Sequence, residues 1–261
     1  KDLHGEVVRD IGVLQPAKPG KDLVLSIDLR LQYQQHRELQ RAVSALSAAS
    51  GTVVTLDSHT GEVLAMVNYP VYNPNGSKSG SPDSRRNRAM TDVYEPGSTM
   101  KSLTMVAALE SGRYTPDTMI DGKLPNRPRW YATEKVSLAF GYGISATPLQ
   151  LASAYSVFAN EGKQLPISLL ALEGETPEGK QIIAPETAAQ LLDMLHAVTG
   201  EHGTARKARV SGYQVGGKTG TVHKVGPAGY EKDKYVALFA GIAPIDNPRI
   251  VTVVVINDPK G

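Results

Sequence analysis

A chain of 261 residues with 41% hydrophobic content is long enough to bury one sizeable core, and a single domain is the expectation. Its 28 basic and 26 acidic side chains leave a formal charge of +2 without any long block of one sign, which excludes a nucleic-acid footprint and a basic membrane-binding surface. The absence of cysteine excludes disulfides, thiolate metal sites and cysteine nucleophiles together.

Residues 1–22 are charged and carry Pro16 and Pro19-Gly20, so they read as an extended lead-in from an upstream region. The abrupt opening on Lys1-Asp2-Leu3 is that expected of a fragment. Residues 23–261 read as the folded domain. Leu23 to Ile27 predicts a short strand, and Asp28 then caps a helix through Ala45 with Leu31, Leu39, Val43 and Leu46 on a repeating face. Thr52 to Leu56 and Glu62 to Asn68 predict a hairpin around Asp57-Ser58-His59-Thr60-Gly61. Tyr69 to Asn87, with its run Asn75-Gly76-Ser77-Lys78-Ser79-Gly80-Ser81, predicts an irregular surface excursion.

A helix is expected after Glu95-Pro96-Gly97, ending at Ser111-Gly112. Thr147 followed by Pro148 predicts a capped helix to Asn160, and Pro185-Glu186 opens another through Val198. Tyr213 to Thr221, Tyr235 to Ala243 and Arg249 to Asn257 predict strands. The fold class is α+β, an antiparallel sheet flanked by helices. The apolar run Ile250 to Ile256 is far short of the roughly 20 residues a membrane-spanning helix needs, and the N-terminus shows no signal-peptide core.

The sharpest chemical feature is Ser98-Thr99-Met100-Lys101. On a helix, residues i and i+3 share a face about 5–6 Å apart at Cβ, so the lysine can reach the serine oxygen. A hydroxyl is a poor nucleophile until a neighbour takes its proton, and a lysine among cationic or apolar groups can do so. At a helix start the unpaired N–H of Ser98 can also stabilise an oxyanion formed at its own side chain. A plain N-cap with a solvated lysine has the same spacing, but Ser98 is the only serine here with a lysine three places on. The second feature is Lys218-Thr219-Gly220-Thr221 on strand-like sequence. There a lysine and a hydroxyl suit a substrate carboxylate and Gly220 admits a ligand backbone, although an ordinary strand end reads similarly.

Ser-x-x-Lys followed by Lys-Thr-Gly is a known signature of penicillin-binding proteins and class A β-lactamases. Tyr94-Glu95-Pro96-Gly97-Ser98-Thr99-Met100-Lys101, Arg86-Asn87-Arg88-Ala89-Met90, Phe140-Gly141-Tyr142-Gly143, Thr147-Pro148-Leu149-Gln150-Leu151-Ala152 and Val255-Ile256-Asn257-Asp258-Pro259 extend the likeness over most of the chain. It resembles the class B, division-specific penicillin-binding transpeptidases of Gram-negative bacteria, the penicillin-binding protein 3 family.

That resemblance implies the penicillin-binding/serine β-lactamase-like fold and a peptidoglycan D,D-transpeptidase. Ser98 would attack the carbonyl between the two terminal D-alanines of a stem peptide, with Lys101 as general base and Lys218 aiding proton transfer. Thr219 would bind the terminal carboxylate, the N–H groups of Ser98 and Thr221 would form the oxyanion hole, and Tyr235 matches a pocket-wall position or plain core. No metal or other cofactor is implied, and the six histidines show no paired ligand spacing. His223, just past the Lys-Thr-Gly-Thr run, is a candidate for the cleft mouth. The implied partners are peptidoglycan stem peptides, β-lactam antibiotics and other division proteins. The implied location is the periplasmic face of the inner membrane, with the anchor outside this sequence.

The pattern departs from the family at its middle motif, Ser-x-Asn. Between Lys101 and Lys218 the only asparagines are Asn126 and Asn160, preceded two places earlier by Leu124 and Phe158. Around Asp121-Gly122-Lys123 a piece resembling the end of the post-nucleophile region joins Leu124-Pro125-Asn126-Arg127-Pro128, which resembles a segment much further along, so some tens of residues are missing there. The family's last strand and C-terminal helix are also missing after Gly261, which is expected to leave an edge strand unpaired. Two alternatives therefore stay open beside the transpeptidase: a serine β-lactamase-like hydrolase, and a catalytically impaired module that binds peptidoglycan or division partners.

Overall fold

The computed structural model describes residues 2–4, 6, 8, 18–76, 80–118, 137–174, 176–226 and 229–260. Seven strands and five α-helices are named among them. In chain order they are α1 (Leu29–Ala45), β1 (Ser50–Asp57), β2 (Val63–Tyr69), α2 (Arg88–Thr91), α3 (Lys101–Glu110), α4 (Pro148–Ala159), β3 (Lys163–Gln164), β4 (Lys180–Gln181), α5 (Pro185–Thr199), β5 (Gly216–Gly226), β6 (Gly229–Ala243) and β7 (Ile250–Asn257).

Five strands form one antiparallel sheet in the order β2-β1-β7-β6-β5, while β3 and β4 pair separately. Alternation along the strands assigns each sheet face to its own helices. Leu39 and Val43 of α1 cover Val53, Val67 and Ile256 on one face. On the other face Val54, Leu56, Val253 and Leu238 meet Leu151, Tyr155 and Phe158 of α4 and Leu191 and Leu195 of α5. The interior strand β1 is buried at every position, having helices on both sides. β5, at the sheet's edge, keeps one backbone edge free of strand partners, and it carries Lys218-Thr219-Gly220.

The local start signals act as expected. Asp28 accepts from the N–H groups of Arg30 and Leu31, and Thr147 and Gln150 form a reciprocal capping box before Pro148. The sheet and flanking helices are the α+β architecture expected.

Several expectations need correction. Leu23 to Ile27 is not a strand: only Leu25 makes a bridge, to Leu170, and Leu23, Val24 and Leu25 stay exposed because no layer covers them. Leu46 ends α1 as its C-cap and is exposed, so it leaves the helix's buried face to Leu39 and Val43. The excursion from Tyr69 contains a 3-10 turn, Pro82–Arg85, capped by Ser81, while residues 77–79 lie outside the described residues. The strand expected from Tyr213 starts at Gly216 and runs on to Gly226. The last strand described, β7, lies between β1 and β6 and is bonded on both sides, and the sheet's edges are β2 and β5. The junction at 121–123 and the lead-in residues 9–17 lie outside the described residues.

Candidate active site

Ser98 does not sit on the α-helix itself. Gly97–Met100 form a 3-10 turn, and α3 begins at Lys101. With three residues per turn, positions 98 and 101 are eclipsed, so the turn places both on one side. Pro96 leads into it, and Gly97 adopts φ +52, a conformation that disfavours any side chain.

Two glycines let this turn dock against β5. A Cβ on Gly97 would stand 2.3 Å from Val222 Cγ1, and one on Gly220 would stand 3.2 Å from both Pro96 O and Thr99 Cγ2. The edge strand and the Gly97–Met100 turn therefore approach backbone to backbone, which brings Ser98 and Lys101 beside the strand that carries Lys218. Beneath the turn, Thr99 is fully buried and its hydroxyl donates to Pro96 O at 2.6 Å. The buried Tyr155 of α4 donates to Thr99 O at 2.8 Å and lies 3.0 Å from Ser102 Oγ. Burial pushes the Tyr155 phenol well above its ordinary value.

The two lysines differ in setting. Lys101 is exposed, and its Nζ lies 4.9 Å from the centroid of the Phe140 ring. Among the described residues no hydrogen bond joins Lys101 to Ser98, and Ser98 Oγ has no hydrogen-bond partner. Lys218 is half-buried and donates to its neighbour's carbonyl, Thr219 O, at 3.1 Å. Burial, and then the charge of Lys101, hold the Lys218 ammonium below the ordinary lysine value of 10.5.

This shift has a sign that can be checked. Because the folded chain holds the Lys218 proton less tightly than the unfolded chain, the unfolded chain binds more protons between the depressed value and 10.5. Stability contributed at this position therefore rises with pH through that interval and is constant below it. A Lys218→Met variant should gain stability over the parent at pH 7, and the gain should shrink in urea melts as pH approaches 10.5; a pH-independent difference would contradict this assignment.

Thr219, one residue on, lies 3.2 Å from the hydroxyl of Thr204, which follows α5 and which no local spacing marked. Thr221 is exposed. Tyr235 is not core: it pairs in register with His223, their rings lie 4.6 Å apart, and it keeps 37% of its surface. His223 lines a cavity of about 670 Å³ with Arg88, Tyr94, Glu95 and Val222, and Ser98, Lys101, Lys218 and Thr219 are not part of that lining. Sequence reading also missed Phe140, Tyr155 and Glu95 as functional neighbours, although Phe140 and Glu95 lie inside motifs it had quoted.

Three comparisons bear on this arrangement. The family model described as the penicillin binding protein transpeptidase domain matches residues 51–124 and 120–261. The chain is 32% identical over 329 residues to a probable peptidoglycan D,D-transpeptidase PenA of Neisseria flavescens, covering 99% of this chain and 82% of that one. It is 33% identical over 328 residues to the peptidoglycan D,D-transpeptidase FtsI of Escherichia coli K12, covering 100% of this chain and 55% of that one. The apo transpeptidase domain of Burkholderia pseudomallei penicillin-binding protein 3 superposes with a TM-score of 0.78 at 30% identity, over 93% of this chain and 90% of that one. The chain thus spans little more than half the length of the E. coli relative. With a match to the family model across most of its length and a transpeptidase-domain fold around Ser98, the chain belongs to the penicillin-binding protein transpeptidase domain family.

Proposed function

We propose that the chain is the catalytic domain of a peptidoglycan D,D-transpeptidase and a covalent target of β-lactams, with Ser98 as nucleophile. The observation that carries this reading is the glycine-mediated docking of the Ser98 turn against the edge strand bearing Lys218-Thr219-Gly220-Thr221, in a chain whose whole length aligns with 55% of the E. coli D,D-transpeptidase FtsI.

Ser98 Oγ bonds to the carbonyl carbon of the penultimate D-alanine and the amide bond to the terminal D-alanine breaks. The hydroxyl proton passes through a lysine amine, Lys101 with Lys218 beside it, to the departing nitrogen. The amine of a neighbouring stem then attacks the ester, forms the crosslinking amide and returns a proton to Ser98. Thr219 receives the substrate's terminal carboxylate, Gly220 lets the stem backbone lie along β5, and the N–H groups of Ser98 and Thr221 hold the oxyanion. Tyr235 borders this edge from β6. In this reading the chain works at the periplasmic face of the inner membrane, at the division septum and beside other division proteins.

We also propose that tens of residues between α3 and α4 are missing relative to the family, including its Ser-x-Asn. The alignment with the E. coli relative runs over 328 positions against 261 in this chain, and the family match breaks in two near residue 120. A Ser98 Oγ without a hydrogen-bond partner among the described residues and a Lys101 beside Phe140 fit such a loss, so crosslinking should be weak even where acylation persists.

Incubation of the folded chain with a labelled penicillin, followed by digestion and mass mapping, tests the main reading. A stable adduct on Ser98 is expected. No adduct, or one on another residue, removes the assignment, and rapid penicillin turnover points instead to a β-lactamase-like hydrolase.

A further inference from the structure

Glu95, three residues before the nucleophile, retains only 8% of its surface and has no basic side chain within ion-pair distance among the described residues. A buried carboxyl group without a cation is expensive unless hydrogen bonds compensate it. Here they come from two other elements. Gly143 N donates to Oε1 at 2.8 Å, and the Tyr230 hydroxyl reaches Oε1 at 2.9 Å and Oε2 at 3.0 Å.

Those donors belong to the parts that surround Ser98. Gly143 ends the loop whose Gly141 O accepts from Gly97 N at 3.1 Å. Tyr230 stands at the start of β6, paired in register with Val225 of β5, the strand of Lys218-Thr219-Gly220. Tyr230 keeps 54% of its surface, so core packing does not account for its placement, whereas its hydroxyl does. Accepting that hydrogen bond, Glu95 also raises the Tyr230 phenol above its ordinary value.

We infer that Glu95 is a positioning residue for the Ser98 reaction: with Tyr230 and Gly143 it latches the β5–β6 hairpin and the 141–143 loop to the nucleophile turn. Ser98 and the Lys-Thr-Gly strand lie on segments far apart in sequence, so their register across the cleft depends on such ties. Displacement of a reacting group by about 1 Å lowers rates by up to about 100-fold. Removal of the Tyr230 hydroxyl frees the hairpin side of the latch alone; removal of the Glu95 carboxyl frees both sides.

This inference rests on Ser98 acylation, so the test measures penicillin acylation of the unmodified chain, Tyr230→Phe, Glu95→Gln, Glu95→Ala and the Tyr230→Phe/Glu95→Ala double variant, separating binding from the acylation step. Tyr230→Phe, which keeps the ring, should slow the acylation step about fivefold to tenfold with binding and melting temperature little changed. Glu95→Gln, which keeps an acceptor oxygen, should recover part of the rate lost in Glu95→Ala. The double variant should be no slower than Glu95→Ala, because the second change removes a tie already broken. Unchanged acylation in Tyr230→Phe, or effects that multiply in the double variant, would overturn the latch and leave the nucleophile assignment standing. No acylation of the unmodified chain would overturn both.

Discussion

Alanine at Gly141 should cost the fold about 3 kcal/mol or more and abolish most acylation of Ser98. Gly141 adopts φ +82, and an added Cβ would stand 2.3 Å from Gly97 O and 2.6 Å from Gly97 N. Those are backbone atoms of the nucleophile turn, so no side-chain rotation relieves the overlap. The turn must instead retreat from the loop, breaking the bond from Gly97 N to Gly141 O and shifting Ser98 relative to β5. Gly143 is the internal control. It has φ +74, but an added Cβ meets nothing within 4 Å, so Gly143→Ala bears only the left-handed backbone penalty of about 1 kcal/mol. Thermal melts and penicillin acylation of the two variants side by side separate the clash from the backbone strain. Gly141→Ala should melt roughly 10 °C below the parent and Gly143→Ala only a few degrees below it. Equal losses would mean that the Gly97–Gly141 approach has no special weight.

The second large effect is expected at Tyr155. Its ring is fully buried, meets Phe158 edge-on at 5.2 Å, and its hydroxyl supports Thr99 O and Ser102 Oγ beside Ser98. Tyr155→Ala removes the ring and opens a cavity in the main core, at about 3–5 kcal/mol. Tyr155→Phe keeps the packing and deletes the hydroxyl alone, leaving two buried polar atoms one partner short at about 1–3 kcal/mol. The Phe variant should remain folded at room temperature yet acylate several-fold more slowly, because the 3-10 turn loses its support from α4. Urea melts and acylation rates together decide this: a Phe variant with parental acylation would show that Thr99 and Ser102 hold the turn without Tyr155.

Particular residues show why some of this was legible beforehand and some was not. Asp28 and Thr147 announced their helices because a capping side chain acts on N–H groups two or three residues away. The β1–β2 hairpin followed from two apolar runs around a turn, and its register is set over a few residues. Leu23 to Leu25 misled for the converse reason: apolar content marks a segment able to form a strand, but the absence of a covering layer left these side chains exposed with a single bridge. Tyr235 was left between pocket wall and core, since residue type alone does not say which neighbour an aromatic ring meets; in the structure it meets His223.

The sequence by itself determined the identities and spacings of the candidate groups, Ser98 with Lys101 and Lys218 with Thr219 and Gly220, and the family likeness built on them, because those spacings lie within one turn or one strand. It also determined the helix starts and the strand-forming runs. Only the tertiary structure decided that β7 enters the sheet between β1 and β6, leaving the Lys-Thr-Gly strand at an edge beside Ser98. It likewise decided that Lys101 turns to Phe140, that Tyr155 supports Thr99, and that Tyr230 closes on Glu95. These pairings join residues tens to more than a hundred positions apart. They follow from which faces pack together, and no local propensity along the chain encodes that outcome.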